Sequence, residues 1–182
     1  LALIKQTLDE WYKVRDPGFR YICVCSDQSV ASLHSEDGWE ADPSDQDFKV
    51  STDFKALAAF LRQSSPLPRV VFSTYQSSAV LVAALRELEG QKCHFDLVIC
   101  DEAHKVAGAA GKPFAQILDD EKIPAAKRLF MTATPRVIAP QYRNNTEADA
   151  VHLVSMDEPD VFGPVFYRMT FAEAILQNII SD

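Results

Sequence analysis

Asp101-Glu102-Ala103-His104 stands directly behind the apolar run Phe95-Asp96-Leu97-Val98-Ile99-Cys100. Two adjacent carboxylates at the end of a buried strand suit phosphate-ester or anhydride hydrolysis. One can hold a Mg²⁺ bound to phosphate oxygens, and its neighbour can orient the attacking water. The bland alternative is a capped strand end, where an acid accepts hydrogen bonds from the following turn. Twenty-eight residues after His104 comes Thr132-Ala133-Thr134-Pro135-Arg136, behind the strand-like run Arg128–Met131. Threonine hydroxyls are short, rigid hydrogen-bonding groups that can report a neighbour's position. Taken alone, they read as a Ser/Thr turn before a proline. A third polar cluster, Ser73-Thr74-Tyr75-Gln76-Ser77, closes the run Val70-Val71-Phe72. Thr74, Gln76 and Ser77 can hydrogen-bond phosphates, and Tyr75 can offer a stacking face. Ser77 on its own also suits the N-cap of a following helix.

These groups need strands to hold them. Tyr21–Cys25, Val70–Phe72, Phe95–Cys100 and Leu129–Met131 are short apolar runs bounded by polar or turn residues, as buried strands are. Val151–Val154 and Val165–Met169 read as further strands. Ala2–Lys13, Asp53–Arg62, Ser77–Leu88, Ala115–Leu118 and Phe171–Ile180 have helical spacing, and Gly90 is placed to end the third of these. Ser64–Pro68 reads as a loop. Strand–helix alternation predicts a three-layer α/β fold, a mostly parallel sheet with helices on both faces. Ligands of such sheets sit beyond the carboxyl ends of the strands. All three polar clusters fall at that edge.

The acid tetrad and the threonine motif together resemble motifs II and III of superfamily 2 helicases. Pro135-Arg136 and Lys105-Val106-Ala107-Gly108 resemble the restriction-enzyme-like branch, which includes type III restriction subunits. Val70–Ser77 resembles the nucleic-acid motif that precedes motif II. Leu1-Ala2-Leu3-Ile4-Lys5-Gln6-Thr7 resembles the motif after the family's second strand, although alone it is an ordinary amphipathic helix start. The resemblance implies a RecA-like domain of the P-loop NTPase type, with ATP and Mg²⁺ as cofactors. It implies that Asp101 binds the Mg²⁺, that Glu102 positions water, and that His104 bridges to the threonines. Thr132, Ala133, Thr134 and Arg136 would couple the nucleotide site to the strand site. Lys5, Gln6, Thr7, Thr74, Tyr75, Gln76 and Ser77 would contact nucleic acid, DNA before RNA.

One part of the family pattern is missing. GxxxxGK[ST] occurs nowhere, and Gly111-Lys112 is followed by Pro113 with Val at position 106. The backbone amides that cradle β- and γ-phosphates are therefore not in this chain. The resemblance implies that the P-loop lies upstream of Leu1 and the second motor domain beyond Asp182. Residues 1–170 would then be part of a first RecA-like domain, and 171–182 the start of the connection to the second. The resemblance implies that the P-loop strand lies between the strand before motif III, here Arg128–Met131, and another, here Val165–Met169, so that without it two rows of backbone groups are left unpaired. Those rows predict either direct pairing of Arg128–Met131 with Val165–Met169 or association with another copy of the chain.

Bulk properties fit a single domain able to bury a core: 182 residues, 47% hydrophobic and 24% charged. The net charge of −8 argues weakly against a protein that coats nucleic acid. It leaves room for a motor that grips a strand through a few amides and hydroxyls. No apolar run spans a membrane and the amphipathic first dozen residues are not a signal peptide, which predicts a cytoplasmic protein. Cys23, Cys25, Cys93 and Cys100 contain no CxxC pair and read as reduced core cysteines, with Cys23 and Cys25 on one side of a strand. With His94 they lack the spacing of the usual zinc knuckles. Glu36–Asp47, with six acids, reads as a solvated loop. Rival readings are a translocase on duplex DNA, as in restriction systems, and a non-hydrolysing binding module. A carboxylate metallohydrolase would need further ligands that the strand ends do not supply.

Overall fold

The computed structural model describes residues 2–14, 18–25, 50–90, 93–109, 113–143 and 153–180. Helix α1 (Ala2–Val14) is followed by β1 (Arg20–Val24), β2 (Val50–Ser51), α2 (Phe54–Arg62) and β3 (Arg69–Ser73). Then come α3 (Ser78–Arg86), β4 (Val98–Cys100), β5 (Gly108–Ala109) and β6 (Arg128–Phe130). Strand β7 (Leu153–Val154) and helices α4 (Pro159–Phe162) and α5 (Phe171–Leu176) complete the chain.

Strand β1 lies between β2 and β3, parallel to both, with Tyr21 opposite Val70 and Cys23 opposite Phe72. Period-two alternation then assigns the faces. Ile22 and Val24 face the core with Leu57 and Phe60 of α2 and Leu81 and Leu85 of α3. Tyr21 and Phe72 turn the other way and meet α1 through Trp11, whose ring centroid is 5.7 Å from that of Phe72. Helices thus cover both faces of this trio, the three-layer α/β arrangement expected for a RecA-like domain. Cys23 and Cys25 are both buried.

Polar side chains close the element ends. Asp53 caps α2 by accepting from the Lys55 amide at 2.8 Å. Arg69, at the start of β3, donates to the carbonyl of Leu61 in the last turn of the same helix and to that of Gln63 at its C-cap. Arg128 opens β6 and donates to the carbonyls of Ile117 and Ile123 and to Asp120. That clamp fixes where β6 enters the sheet.

Strands β4 and β6 form a second parallel pair, with Val98 opposite Arg128, and β5 pairs antiparallel with β7. Cys100 points into the core, whereas Ile99 and Met131 are exposed. One face of this pair is therefore open among the described residues. The expected single sheet is divided into these pieces, because no ladder joins β3 to β4.

Some elements differ from the sequence expectation. Phe95–Cys100 narrows to Val98–Cys100, with Phe95 making only a lone parallel bridge to Ala125. Ala115–Leu118 lies in a 3₁₀ turn over Pro113–Leu118, where the proline starts a tight turn. The helix at Phe171 stops at Leu176, its start fixed by a Thr170–Glu173 capping box. Val165–Met169 is not a strand and does not pair with β6; Val165, Phe166 and Tyr167 are exposed. Their β-branched and aromatic side chains favour extended chain, but a strand also needs a ladder partner and a surface to cover. Glu36–Asp47 lies outside the described residues, as do Val151 and the next residue of the run that ends in β7.

Candidate functional site

The carboxyl ends of β3, β4 and β6 bring three of the four motifs side by side. Beyond β4 the chain turns sharply at Asp101-Glu102. The Asp101 carboxylate accepts from the Glu102 amide at 2.9 Å. Glu102 itself adopts left-handed backbone, φ 50° and ψ 45°, a conformation uncommon for a residue with a Cβ. Strain of this kind persists only where neighbours hold it. Two do so here. The Ala103 amide donates to the Met131 carbonyl at 2.9 Å. The Tyr75 hydroxyl donates to the Asp101 carbonyl at 2.6 Å. Ala103 is fully buried, which is why a small side chain stands there.

His104 links the acids to the threonines. Its Nδ1 lies 3.0 Å from the Thr132 hydroxyl, 3.4 Å from that of Thr134 and 3.3 Å from a Glu102 carboxylate oxygen. A carboxylate can only accept, so the Glu102 contact favours the tautomer with hydrogen on Nδ1. The Thr132 hydroxyl also accepts from the Thr134 amide at 3.1 Å, which tightens the turn around Ala133. One imidazole nitrogen thereby contacts both Glu102 and the threonines at the neighbouring strand end.

Arg136 has a local partner. Its guanidinium donates to the Ala107 carbonyl at 3.3 Å, and its backbone pairs with Met156 beside the β5–β7 ribbon. Gly108 lies under that guanidinium at φ 113°, where a Cβ would come within 3.1 Å of Arg136. Neither partner was legible in the sequence, where Arg136 stood only as a coupling residue.

Thr74 continues the β1 ladder through its amide, and its hydroxyl pairs with that of Ser77 at 3.0 Å. Ser77 sits at the N-cap position of α3 but is buried and caps nothing with its side chain. Gln76 is exposed. The Tyr75 ring is half-buried near Phe114, at 6.2 Å between centroids, and its hydroxyl is committed to Asp101. Gln6 and Thr7 are exposed on α1; the Lys5 side chain lies outside the described residues.

Asp101 is exposed at the strand end and Glu102 half-buried. Among the described residues no three His, Cys, Asp or Glu side chains gather as a metal cage. A lone exposed carboxylate suits Mg²⁺, which keeps several waters and takes its other ligands from phosphate oxygens.

Acids, a histidine and threonines at adjacent parallel strand ends mark a RecA-like domain of the superfamily 2 helicase kind. Residues 1–137 match type III restriction enzyme Res subunits, and the chain belongs to that family. It is 30% identical over its whole length to the "Probable helicase" of a tick isolate of African swine fever virus, spanning 17% of that protein. A second isolate's protein is 29% identical with the same coverage. Among solved structures it resembles a nuclease-deletion mutant of the Type ISP restriction-modification enzyme LlaGI, in complex with a DNA substrate mimic. The TM-score is 0.69 at 28% identity, over all of this chain and 13% of that one. The ATP-dependent Type ISP enzyme LlaBIII, bound to DNA, gives a TM-score of 0.66 at 29% identity, over 99% of this chain and 12% of that one. Among the described residues no helix is long and apolar enough to cross a membrane.

Proposed function

We propose that this chain is part of the first RecA-like domain, residues 1–170, of a longer ATP-dependent DNA motor. Residues 171–182 would begin its connection to a second motor domain. The observation that carries the reading is His104 Nδ1, within hydrogen-bonding reach of both Glu102 and Thr132. A capped strand end has no use for that relay. Mg²⁺ with ATP would supply the reactive phosphoanhydride and a counter-charge for it. Asp101 would hold the metal from the end of β4. Glu102, aimed by its left-handed turn and by His104, would orient the attacking water and take up its proton. His104, Thr132 and Thr134 would pass changes at the acid pair to the end of β6. Thr74 and Gln76, with Lys5, Gln6 and Thr7 on α1, would touch the strand, Tyr75 and Ser77 shaping the loop beneath. We place the protein in the cytoplasm.

The Res-subunit family match and the two Type ISP neighbours, bound to DNA or a DNA mimic, support a motor that acts on DNA, and of its two modes we take movement along duplex DNA over unwinding. In the full-length protein, closed duplex DNA without ends should stimulate ATP hydrolysis at least as well as single-stranded DNA. Stimulation by single strands alone would favour unwinding, and no stimulation by DNA or RNA would leave a non-hydrolysing module.

A further inference from the structure

We propose that Tyr75 is a positioning residue that ties the strand-contact loop to the acid pair, so that DNA held at Thr74–Ser77 sets the geometry of Asp101 and Glu102. The inference rests on the motor reading above and adds a route between its two sites. β3 and β4 belong to separate ladders, and the Tyr75 hydroxyl crosses between their ends to the Asp101 carbonyl at 2.6 Å. On its own side Tyr75 is held firmly. Its carbonyl accepts from the Ser78 hydroxyl at 2.7 Å and from the Ser78 amide. Thr74 before it is fastened to β1 through the Val24 carbonyl. On the far side the bond lands on the peptide that leads into Glu102, the residue in left-handed backbone. A turn strained in this way depends on its anchors. Met131 supplies one, from the threonine side, and Tyr75 supplies another, from the strand-contact loop. A backbone carbonyl can only accept, so the Tyr75 hydroxyl is the donor of this bond. A base-stacking tyrosine would leave its ring free and its hydroxyl unspecified; this one has a fixed acceptor and a ring settled near Phe114.

The test is Tyr75→Phe in the full-length protein, which keeps the ring and removes the donor. Loss of one such bond should lower kcat at saturating DNA about five- to tenfold. The KM for ATP and the DNA concentration for half-maximal stimulation should stay within about twofold. Ser78→Ala, which loosens the same turn from behind, should give the same signature more weakly. A rise in half-saturating DNA with kcat preserved would make Tyr75 a strand contact and overturn the proposal, and so would unchanged kinetics. A wild-type protein without DNA-stimulated hydrolysis would overturn the motor reading and this inference together. Wild-type stimulation with an indifferent Tyr75→Phe would overturn this inference alone.

Discussion

Gly108 and Arg136 show how a single residue can be required by its neighbour. Gly108 has φ 113°, and a methyl group there would press on the Arg136 guanidinium. Gly108→Ala should cost about 1–3 kcal/mol, seen as a lowered urea midpoint, since both the backbone and the contact object. An unchanged midpoint would mean that the 107–109 segment is slack. The buried thiols make a second prediction. Burial raises Cys23 to about 12 and Cys100 to about 11, from an ordinary 9.0. An acid whose pKa is raised by folding stabilises the fold below its unfolded pKa and loses that contribution as pH rises above it. The loss should therefore run from pH 9 to about 11 for Cys100, and on to about 12 for Cys23. Melting temperature should fall over that range by about 3–5 °C per pH unit per thiol. A flat profile from pH 9 to 11 would show that the thiols ionise in place.

At the scale of elements, the polar ends of β3, β4 and β6 meet through side-chain and backbone hydrogen bonds because parallel strands deliver them to one side. Their delivery to one side was legible. The runs at Tyr21, Val70, Phe95 and Leu129 are apolar, short and bounded by polar residues, and each became a strand within a few residues of its expected limits. The link from His104 to Thr132 was legible only through the family resemblance. The link from Tyr75 to Asp101 was not, since a tyrosine 26 residues away carries no pattern that names its acceptor. The left-handed turn at Glu102 was hidden too, because nothing in Asp-Glu-Ala-His marks a positive φ as a glycine would. The threonine turn has its own test. Thr132→Ala with Thr134→Ala removes both hydroxyls near His104. In the full-length protein DNA movement should fall several-fold more than DNA-stimulated hydrolysis, by translocation and ATPase assays run side by side. Equal loss of both would end the coupling role.

The whole molecule carries apolar surface that its own described residues do not cover. Val165, Phe166, Tyr167, Phe171 and Leu176 are exposed, and so are Ile99 and Met131 on the open face beside β6. Val165–Met169 misled because its residues suit a strand, while the covering surface they need is not written in them. The chain spans 17% of the viral relative it matches, so such surface can find its cover elsewhere in a longer protein. The 182-residue chain alone should self-associate in light scattering, because apolar patches and unpaired strand edges are adhesive. It should also fail to hydrolyse ATP, since GxxxxGK[ST] is absent from the sequence. DNA-stimulated turnover by a clean monomer would contradict both expectations.

The acid pair remains the centre of the account, and one substitution addresses it without disturbing its shape. Glu102→Gln in the full-length protein keeps the volume and the hydrogen-bonding edge but cannot accept a proton from water. Steady-state hydrolysis at saturating DNA should fall at least about a hundredfold, with nucleotide affinity held within about threefold. Turnover near the wild-type rate would show that Glu102 only closes a strand end, and the reading of this domain as a motor's hydrolytic site would fail.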